Sequence, residues 1–249
     1  MSTATKPTIV FVPGAWHKIA QYSDVTSRLE QAGYEVHGVD YPSTGPNPTN
    51  ETFDPDVKKI ASAIESLADQ GKDVLVAVHS AAGILAGEAA KGLLKSDRES
   101  NGKRGGIVHM VYICAFAAAE GTALWEASGG PLEWEVVEGL TIRATRAAEI
   151  FYNRCTREQQ EENIPKLQLL AKAAFTSKTT YAPWKEVACT YLLCENDLAI
   201  PAPAQEAMST QPGARFEVVR CEADHSPFLC MPDLTTNVVR RAAGESIEL

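Results

Sequence analysis

The chain has 249 residues, of which 45% are hydrophobic and 22% are charged, and its formal net charge is −9 at pH 7. This length and composition predict a soluble globular protein that buries a full core as one α/β domain, or as one domain with an inserted cap. Because no basic block offsets the negative charge, neither nucleic acid nor an anionic membrane is expected as a partner.

Short apolar runs alternate with helical patterns along most of the chain, which is typical of a parallel sheet built from βαβ units. Six strands are predicted, at Thr8–Val12, Glu35–Val39, Val74–Val78, Ile107–Ile113, Thr190–Cys194 and Phe216–Arg220. Helices are predicted at Ile19–Gln31, Asp54–Gln70, Ala81–Leu94, Ala202–Ser209 and Leu234–Ala243. The predicted fold class is therefore α/β, with a mostly parallel sheet and helices on both faces.

The alternation stops between the fourth and fifth predicted strands. From about Ala117 to Pro183 the pattern predicts only helical stretches, such as Leu140–Phe151 and Arg157–Ala174, and aromatic residues are frequent. This is typical of a helical cap folded over the carboxyl edge of the sheet, and extra core helices are the alternative. The predicted domains are a core of residues 1–116 and 184–249 and a helical cap of residues 117–183.

Polar residues just past predicted strands are candidate site residues, because ligands bind outside the carboxyl ends of strands in open parallel sheets. Ser80 follows the third strand, where it is either a helix N-cap or a nucleophile on a sharp strand-to-helix turn. Glu195 and Asp197 follow the fifth strand, and Asp224 and His225 follow the sixth. The order serine, acid, histidine at successive strand ends favours the nucleophile.

The chemistry of acyl transfer explains these residue types. A serine hydroxyl becomes a good nucleophile when a histidine takes its proton, and a buried carboxylate holds that histidine in the right tautomer. We predict Ser80 as the nucleophile, His225 as the base and Asp197 as the acid that orients it. Glu195 is the rival for the role of the acid.

The oxyanion left by the attack needs preorganised backbone donors. The predicted donors are the N–H of Ala81, directly after the nucleophile, and the N–H of Ala15, in the loop after the first strand. Gly14 allows that loop to turn tightly. The serine turn departs from the G-x-S-x-G pattern, because Val78 and Ala82 replace its two glycines.

The sequence resembles the α/β-hydrolase superfamily, and within it the branch of plant methylesterases and hydroxynitrile lyases with their microbial relatives. The resemblance runs over nearly the whole chain and rests on the segments TIVFVPGAWH, VDYPSTG, VHSAAG, YLLCENDLAIP and ADHSPFLCMP. It implies this fold, the triad roles of Ser80, Asp197 and His225, and backbone donors at Ala15 and Ala81.

Ester hydrolysis and cyanohydrin cleavage can both run on such a constellation. The lyases of this branch resemble one another in a threonine of the oxyanion loop and a lysine after the catalytic histidine. The corresponding residues are Gly14 and Ser226, so a cyanide-stabilising cation is missing unless Lys18 reaches the site. The resemblance thus implies hydrolysis of a small to medium apolar carboxylic ester, lactone or thioester.

Two other classes of function stay open. One is a non-hydrolytic enzyme that cleaves or forms carbon–carbon bonds, or acts as a hydroxynitrile lyase or cyclase, on a polyketide-like or aromatic substrate. The other is a ligand-binding receptor on the same scaffold, since fold and function separate easily. An intact triad argues against the receptor, because a protein that only binds has no need of Asp197.

Several residues near the triad are candidate walls of the substrate pocket: Gly14, Trp16, His17, Trp125, Phe151, Tyr152 and Phe228. No metal and no cofactor is expected, because the sequence has no ligand spacing and no glycine-rich phosphate loop after a strand. The expected partner is a small-molecule substrate, and the expected state is a monomer or homodimer. With no membrane-length apolar run and no leader pattern in MSTATKPTIVFV, a cytoplasmic location is expected.

Overall fold

The computed structural model describes residues 6–249, and residues 1–5 of the predicted core lie outside this range. The strands are β1 (Thr8–Val12), β2 (Val36–Gly38), β3 (Thr44–Gly45), β4 (Asp73–His79), β5 (Gly106–Ile113), β6 (Glu135–Glu138), β7 (Thr141–Ala144), β8 (Leu169–Ala171), β9 (Ala188–Cys194) and β10 (Phe216–Cys221). The helices are α1 (Ser23–Gln31), α2 (Asp54–Asp69), α3 (Ala82–Ala89), α4 (Lys95–Ser100), α5 (Leu124–Ala127), α6 (Ala147–Ile150), α7 (Arg157–Asn163), α8 (Ala173–Thr176), α9 (Ala202–Ser209), α10 (Pro227–Cys230) and α11 (Pro232–Ala242). Short 3-10 helices cover Ile19–Tyr22, Ile164–Lys166 and Pro183–Lys185.

The main sheet has six strands in the order β10-β9-β5-β4-β1-β2, and every neighbouring pair is parallel. These are the six predicted strands, each within two residues of its predicted ends. The order brings the carboxyl ends of β1, β4, β5, β9 and β10 to one edge. The α/β prediction of a parallel sheet is confirmed, and the candidate site residues follow strands that end at this edge.

Helices cover both faces of this sheet, as predicted. Val74, Val76 and Val78 of β4 belong to the apolar cluster that includes α2 and α3. The alternate residues of the same strand, Leu75 and Ala77, belong to the cluster on the other face, which includes α1 and α11. Successive side chains of a strand point to opposite faces, so an apolar run is what a sheet covered on both sides requires.

The helix predicted at Ala81–Leu94 ends earlier in the structure. Its helical part, α3, stops at Ala89, and Gly92 has a φ of +74° in the turn that follows. The next helix, α4, begins at Lys95, beyond the predicted range. Glycine adopts this left-handed conformation without the clash that a Cβ atom would bring, and it therefore marks helix ends.

The prediction that residues 117–183 hold only helices is wrong. The strands β6, β7 and β8 lie in this segment, and with β3 they form a second, antiparallel sheet in the order β3-β8-β7-β6. Gly139 and Leu140 alone join β6 to β7, and Gly139 has a φ of +63°. The helices between these strands are short, so the segment is a mixed structure. The domain boundaries stay a prediction.

No helix within residues 6–249 is long and apolar enough to span a membrane.

Candidate active site

Backbone strain concentrates at the carboxyl edge of the main sheet. Ser80 has a φ of +54° directly after β4, Cys114 a φ of +34° directly after β5, and Trp16 a φ of +64° in the loop after β1. Residues other than glycine rarely adopt such values, and they persist where the surrounding structure fixes them, often at functional sites. The strain therefore points to this edge.

The chain turns sharply at Ser80. The chain reverses there from β4 into α3, and a Cβ atom on Gly83 would lie 2.2 Å from the carbonyl oxygen of Phe116. The close approach of helix and neighbouring backbone thus falls at Gly83. Val78 and Ala82 occupy the two positions where the G-x-S-x-G pattern has glycine. Both side chains are fully buried in the core.

Three side chains form a continuous hydrogen-bonded row at this edge. The Nε2 atom of His225 lies 2.9 Å from Ser80 Oγ, and its Nδ1 atom lies 2.7 Å from Asp197 Oδ2. The side chain of Asp197 is fully buried, and that of His225 is 3% exposed. Since a carboxylate only accepts, Nδ1 carries the proton and Nε2 is free to accept from the serine hydroxyl.

The carboxylate of Asp197 is held by three further donors. Its Oδ1 atom accepts the N–H groups of Ala199 and Ile200, each at 2.8 Å, and Oδ2 accepts Gln205 Nε2 at 3.1 Å. Burying a carboxylate is costly unless such donors satisfy it. With His225, four donors surround it and fix its position.

The two other carboxylates near His225 are engaged elsewhere. Glu195 is exposed and lies 3.6 Å from Arg220. Asp224 accepts the N–H of Ser226 at 2.8 Å and the N–H of Arg154 at 2.7 Å. Asp224 therefore shapes the loop that carries His225, and it joins that loop to the segment predicted as the cap.

The predicted oxyanion donors stand free beside Ser80. Within the described part of the chain, no protein acceptor takes the N–H of Ala15 or of Ala81. His17 donates from Nδ1 to the carbonyl oxygen of Ala15 at 2.8 Å, and Tyr152 Oη lies 2.8 Å from its Nε2. Burial lowers the pKa of His17 to about 4, so this ring is neutral and fixes the Ala15 peptide.

A second histidine, His79, is the centre of a hydrogen-bonded chain behind the serine turn. Its Nε2 atom donates to the carbonyl oxygen of His225 at 2.7 Å, so Nδ1 must accept, and Tyr22 donates to it at 2.7 Å. The Tyr22 oxygen in turn accepts the N–H of Gly14 at 3.0 Å. Burial holds the pKa of His79 well below its ordinary value. The chain links the oxyanion loop, the serine turn and the histidine loop.

Gly14 is needed because of this close packing. A Cβ atom there would lie 2.5 Å from Nδ1 of His79 and 3.0 Å from Cβ of Ser80. Any larger residue would push the oxyanion loop away from the serine.

Ser80 and His225 line a small cavity of about 20 Å³. Its walls come from both chain segments, core and predicted cap: Trp16, Ala81, Phe116, Leu124, Ser128, Leu132, Trp134, Glu135, Phe151, Phe175, Ala199 and Ile200. Of the predicted pocket walls, Trp16 and Phe151 line it.

The other five predicted walls do not line this cavity. Gly14 and His17 belong to the loop with the predicted oxyanion donor Ala15, where they bond to Tyr22 and to the Ala15 carbonyl, and Tyr152 lies against His17. Trp125 donates a hydrogen bond to Glu135, and the ring of Phe228 stacks on Tyr22 with centroids 3.9 Å apart. These aromatic side chains pack around the site without lining it.

Sequence reasoning missed the cap residues that complete the aromatic wall. The rings of Trp134 and Phe175 lie 5.5 Å and 5.4 Å from that of Trp16, centroid to centroid. Their place depends on the second sheet, which was not predicted. The aromatic richness of the segment was the available signal, but it did not separate these two residues from Trp125 and Tyr152.

A larger pocket of about 540 Å³ adjoins the small cavity. The two share five wall residues: Phe116, Ser128, Leu132, Ala199 and Ile200. The remaining walls of the larger pocket are mostly small or apolar, among them Ala204 and Met208 of α9. The arrangement provides apolar space next to the serine.

Among residues 6–249, two groups of side chains have the spacing of metal ligands, and members of both groups are already hydrogen-bonded to protein. In the first, His79, Cys114 and His225, both ring nitrogens of each histidine already have protein partners. In the second, Cys155, Asp224 and Cys230, the carboxylate holds two backbone N–H groups. Interaction with Cys230 and burial raise the pKa of the Cys155 thiol, which disfavours the thiolate that binds metals.

Comparison with known proteins agrees with the fold. The model of the alpha/beta hydrolase family matches residues 9–236. The protein "Alpha/beta hydrolase nvfD" of Aspergillus novofumigatus (strain IBT 16806) is 35% identical over 251 residues, which cover 98% of this chain and 99% of that protein.

Solved structures are similar over nearly the whole chain. A pyrethroid hydrolase from Sphingobium faniae JZ-2 superposes with a TM-score of 0.76 at 20% identity, covering 97% of this chain and 99% of that one. The methylesterase MES16 from Arabidopsis gives a TM-score of 0.74 at 18% identity, with 95% and 98% covered. At these identities the likeness shows the fold alone, and it agrees with the branch that the sequence resembles.

Proposed function

Since the chain belongs to the alpha/beta hydrolase family, we propose that it is a carboxylic ester hydrolase with Ser80 as nucleophile, His225 as general base and Asp197 as the orienting acid. The observation that carries the proposal is the hydrogen-bonded row from Ser80 Oγ through His225 to Asp197, with distances of 2.9 Å and 2.7 Å. Nucleophile, base and orienting group within hydrogen-bond reach are the signature of this chemistry.

The reaction follows from the geometry in two stages. Ser80 Oγ forms a bond to the carbonyl carbon while its proton passes to Nε2 of His225, and the carbonyl electron pair moves onto oxygen. The N–H groups of Ala15 and Ala81 then hold the oxyanion. When the oxyanion collapses, the bond to the leaving oxygen breaks and His225 returns the proton to it. A water molecule, deprotonated by His225, releases the acid from Ser80 by the same steps.

The walls around Ser80 favour an apolar substrate, as expected from the sequence. Aromatic rings dominate the small cavity, and no Lys or Arg side chain lines it within the described residues. The adjoining pocket of about 540 Å³ has room for one side of a small to medium ester, lactone or thioester. Two of the proteins with similar structures, a pyrethroid hydrolase and a methylesterase, support ester substrates in general.

Hydroxynitrile lyase activity is the weaker alternative, because Lys18 is engaged elsewhere. Its Nζ atom donates to the carbonyl oxygen of Thr44 at 2.5 Å, and it is absent from the walls of the cavity. Among the described residues, no Lys or Arg side chain in the cavity wall therefore provides a cation to stabilise a cyanide leaving group.

The test is Ser80→Ala, assayed on p-nitrophenyl, methyl and lactone esters. Loss of the nucleophile should lower turnover by about 10⁴-fold or more. A fluorophosphonate should add its mass to the peptide that contains Ser80 in the parent protein and not in the variant. Ser43, a fully buried serine directly before β3, gives the control variant Ser43→Ala, which should still be labelled. Full activity of Ser80→Ala, or labelling at another serine, would refute the proposal.

A further inference from the structure

Glu135 is a carboxylate in a cavity that is lined mainly by apolar and aromatic side chains. It begins β6, its side chain lies among the walls that surround Ser80 and His225, and the residue is only 9% exposed. Among the described residues that line this cavity it is the one carboxylate, and neither Lys nor Arg lines it. Burying a charged group costs free energy unless hydrogen bonds or an opposite charge compensate it.

Both hydrogen bonds that Glu135 makes with residues 6–249 go to the same carboxylate oxygen. Its Oε2 atom accepts Trp125 Nε1 at 2.8 Å and the N–H of Leu132 at 3.0 Å. Its Oε1 atom has no hydrogen-bond partner within residues 6–249, and it is not among the atoms sealed from solvent. Burial raises the pKa of this carboxyl, and the two donors oppose that effect.

This asymmetry goes beyond what a structural role requires. Holding α5 to the loop before β6 needs only the oxygen that binds Trp125 and Leu132. The second oxygen is left as an acceptor on a residue that lines the same cavity as the nucleophile. Because Trp125 and Leu132 fix the carboxylate, this acceptor is held in place before a ligand arrives, which lowers the entropic cost of binding one.

We propose that Glu135 is a specificity-determining residue, whose Oε1 atom accepts a hydrogen bond from a hydroxyl or protonated amine of the substrate while the ester carbonyl lies at Ser80. The inference rests on the proposed function and narrows its substrate class to apolar esters with one such donor. It also excludes substrates with a carboxylate on that side, because two unpaired negative charges repel in a site of low dielectric.

Arylboronic acids test this without a need for the natural substrate. The vacant boron orbital accepts the oxygen of Ser80, a B–O bond forms, and the serine proton passes to His225, so no leaving group is required. The probes are meta- and para-substituted phenylboronic acids that carry hydroxymethyl, aminomethyl or ethyl. The three substituents are similar in size, and only the first two donate a hydrogen bond.

In the parent protein, the hydroxymethyl or aminomethyl probe should inhibit at least about tenfold more strongly than the ethyl probe at one ring position, as a hydrogen bond to a charged group allows. The comparison of hydroxymethyl with aminomethyl tells a neutral donor from a cationic one. Glu135→Gln should abolish or reverse the preference. Its amide oxygen stays with the two N–H donors, and its NH₂ group then faces the cavity in place of an acceptor.

The control is Glu133→Gln, an exposed glutamate two residues earlier, which should keep the parent's preference. The readout is a ratio of inhibition constants within each variant, so a loss of folded protein cancels. Equal inhibition by all probes in the parent, or an unchanged ratio in Glu135→Gln, would overturn the role of Glu135 alone. If no boronic acid binds at Ser80, the proposed function fails, and this inference with it.

Discussion

Asp197 and Glu195 are two residues apart, yet they lie in opposite environments. Asp197 is buried with four hydrogen-bond donors, whereas Glu195 is exposed beside Arg220. Sequence order alone left both open as the acid. Which of the two carboxylates reaches His225 depends on the turn after β9. There the N–H groups of Ala199 and Ile200 donate hydrogen bonds to the buried carboxylate of Asp197.

Asp197→Asn should keep the fold and cut turnover of any ester substrate by about four orders of magnitude. An amide at this position presents a donor to Nδ1 of His225 and so favours the wrong tautomer. Steady-state kinetics and a thermal melt of the same preparation check the two halves of this expectation. Glu195→Gln is the matched control and should retain near-parental turnover. A comparable loss in both variants would show that the acid is misassigned.

His17 gives the protein a predictable sensitivity to acid. Its pKa is about 4 in the folded protein because of burial, against an ordinary value of 6.5. Between these two values the unfolded chain binds the proton and the folded chain does not, so the free energy of unfolding falls as the pH falls from 6.5 to 4. The slope from one such group is about 1.4 kcal/mol per pH unit, and His79 acts with the same sign.

Replacing His17 by Gln should make this slope shallower by up to about 1.4 kcal/mol per pH unit. Urea unfolding at intervals from pH 7 to pH 4 measures it, and the slope is independent of any uniform loss of stability. An unchanged slope would mean that His17 does not resist protonation in the folded protein.

Among secondary-structure elements, α3 shows how one glycine sets the position of a helix. Gly83 lies against the backbone oxygen of Phe116, whereas a Cβ atom on Gly87, one turn later, would meet only Pro183 at 3.5 Å. The first contact is with rigid backbone and the second is an ordinary van der Waals distance. The same substitution should therefore have opposite effects at these two sites.

Gly83→Ala should destabilise the protein by about 2 kcal/mol or more, because the helix or the strand must shift to admit the methyl group. It should also lower activity, since Ser80 moves with the helix start. Gly87→Ala should be neutral or stabilising by up to about 1 kcal/mol, because alanine favours the helix. Chemical denaturation of both variants decides, and equal effects would contradict this account of the helix position.

The central strands of the main sheet, β1, β4, β5 and β9, were predictable because each is a largely apolar run that is buried on both faces. The strands of the second sheet were not. They have two to four residues, and β6, with the sequence EVVE, is half exposed. Such segments become strands through pairing with distant partners, as β3 does with β8. The local periodicity of the sequence does not predict that pairing. The missed cavity walls Trp134 and Glu135 follow from the same omission.

In the whole molecule, the small cavity and the larger pocket meet where the predicted cap contacts the core. Leu132 lines both spaces from the segment before β6, and Ile200 does so from the loop that follows Asp197. A cavity of about 20 Å³ holds little more than a water molecule, so the acyl or alcohol side of an ester has to extend toward the larger space. Leu132 stands at the boundary between them.

Leu132→Ala should join the two spaces and move the preferred acyl chain toward greater length. Initial rates with p-nitrophenyl esters of increasing chain length measure the shift, which should appear as a higher kcat/KM for long chains relative to acetate. Leu140→Ala, on an exposed side chain of the same segment, is the control and should leave the profile unchanged. If Leu132→Ala keeps the parent's dependence of kcat/KM on chain length, the acyl chain does not extend past Leu132.

The hydrogen-bonded chain from Gly14 through Tyr22 and His79 to the carbonyl of His225 joins residues that are synthesised at different times. Its members leave the ribosome at the beginning, in the first third and near the end of synthesis. Until residue 225 has emerged, the Nε2–H group of His79 lacks its acceptor, and the loop with the oxyanion donors is anchored at one end only. We therefore expect a chain that ends before residue 225 to lack the anchor of the serine turn as well as the proposed base, so that the proposed nucleophile becomes competent only when translation is nearly complete.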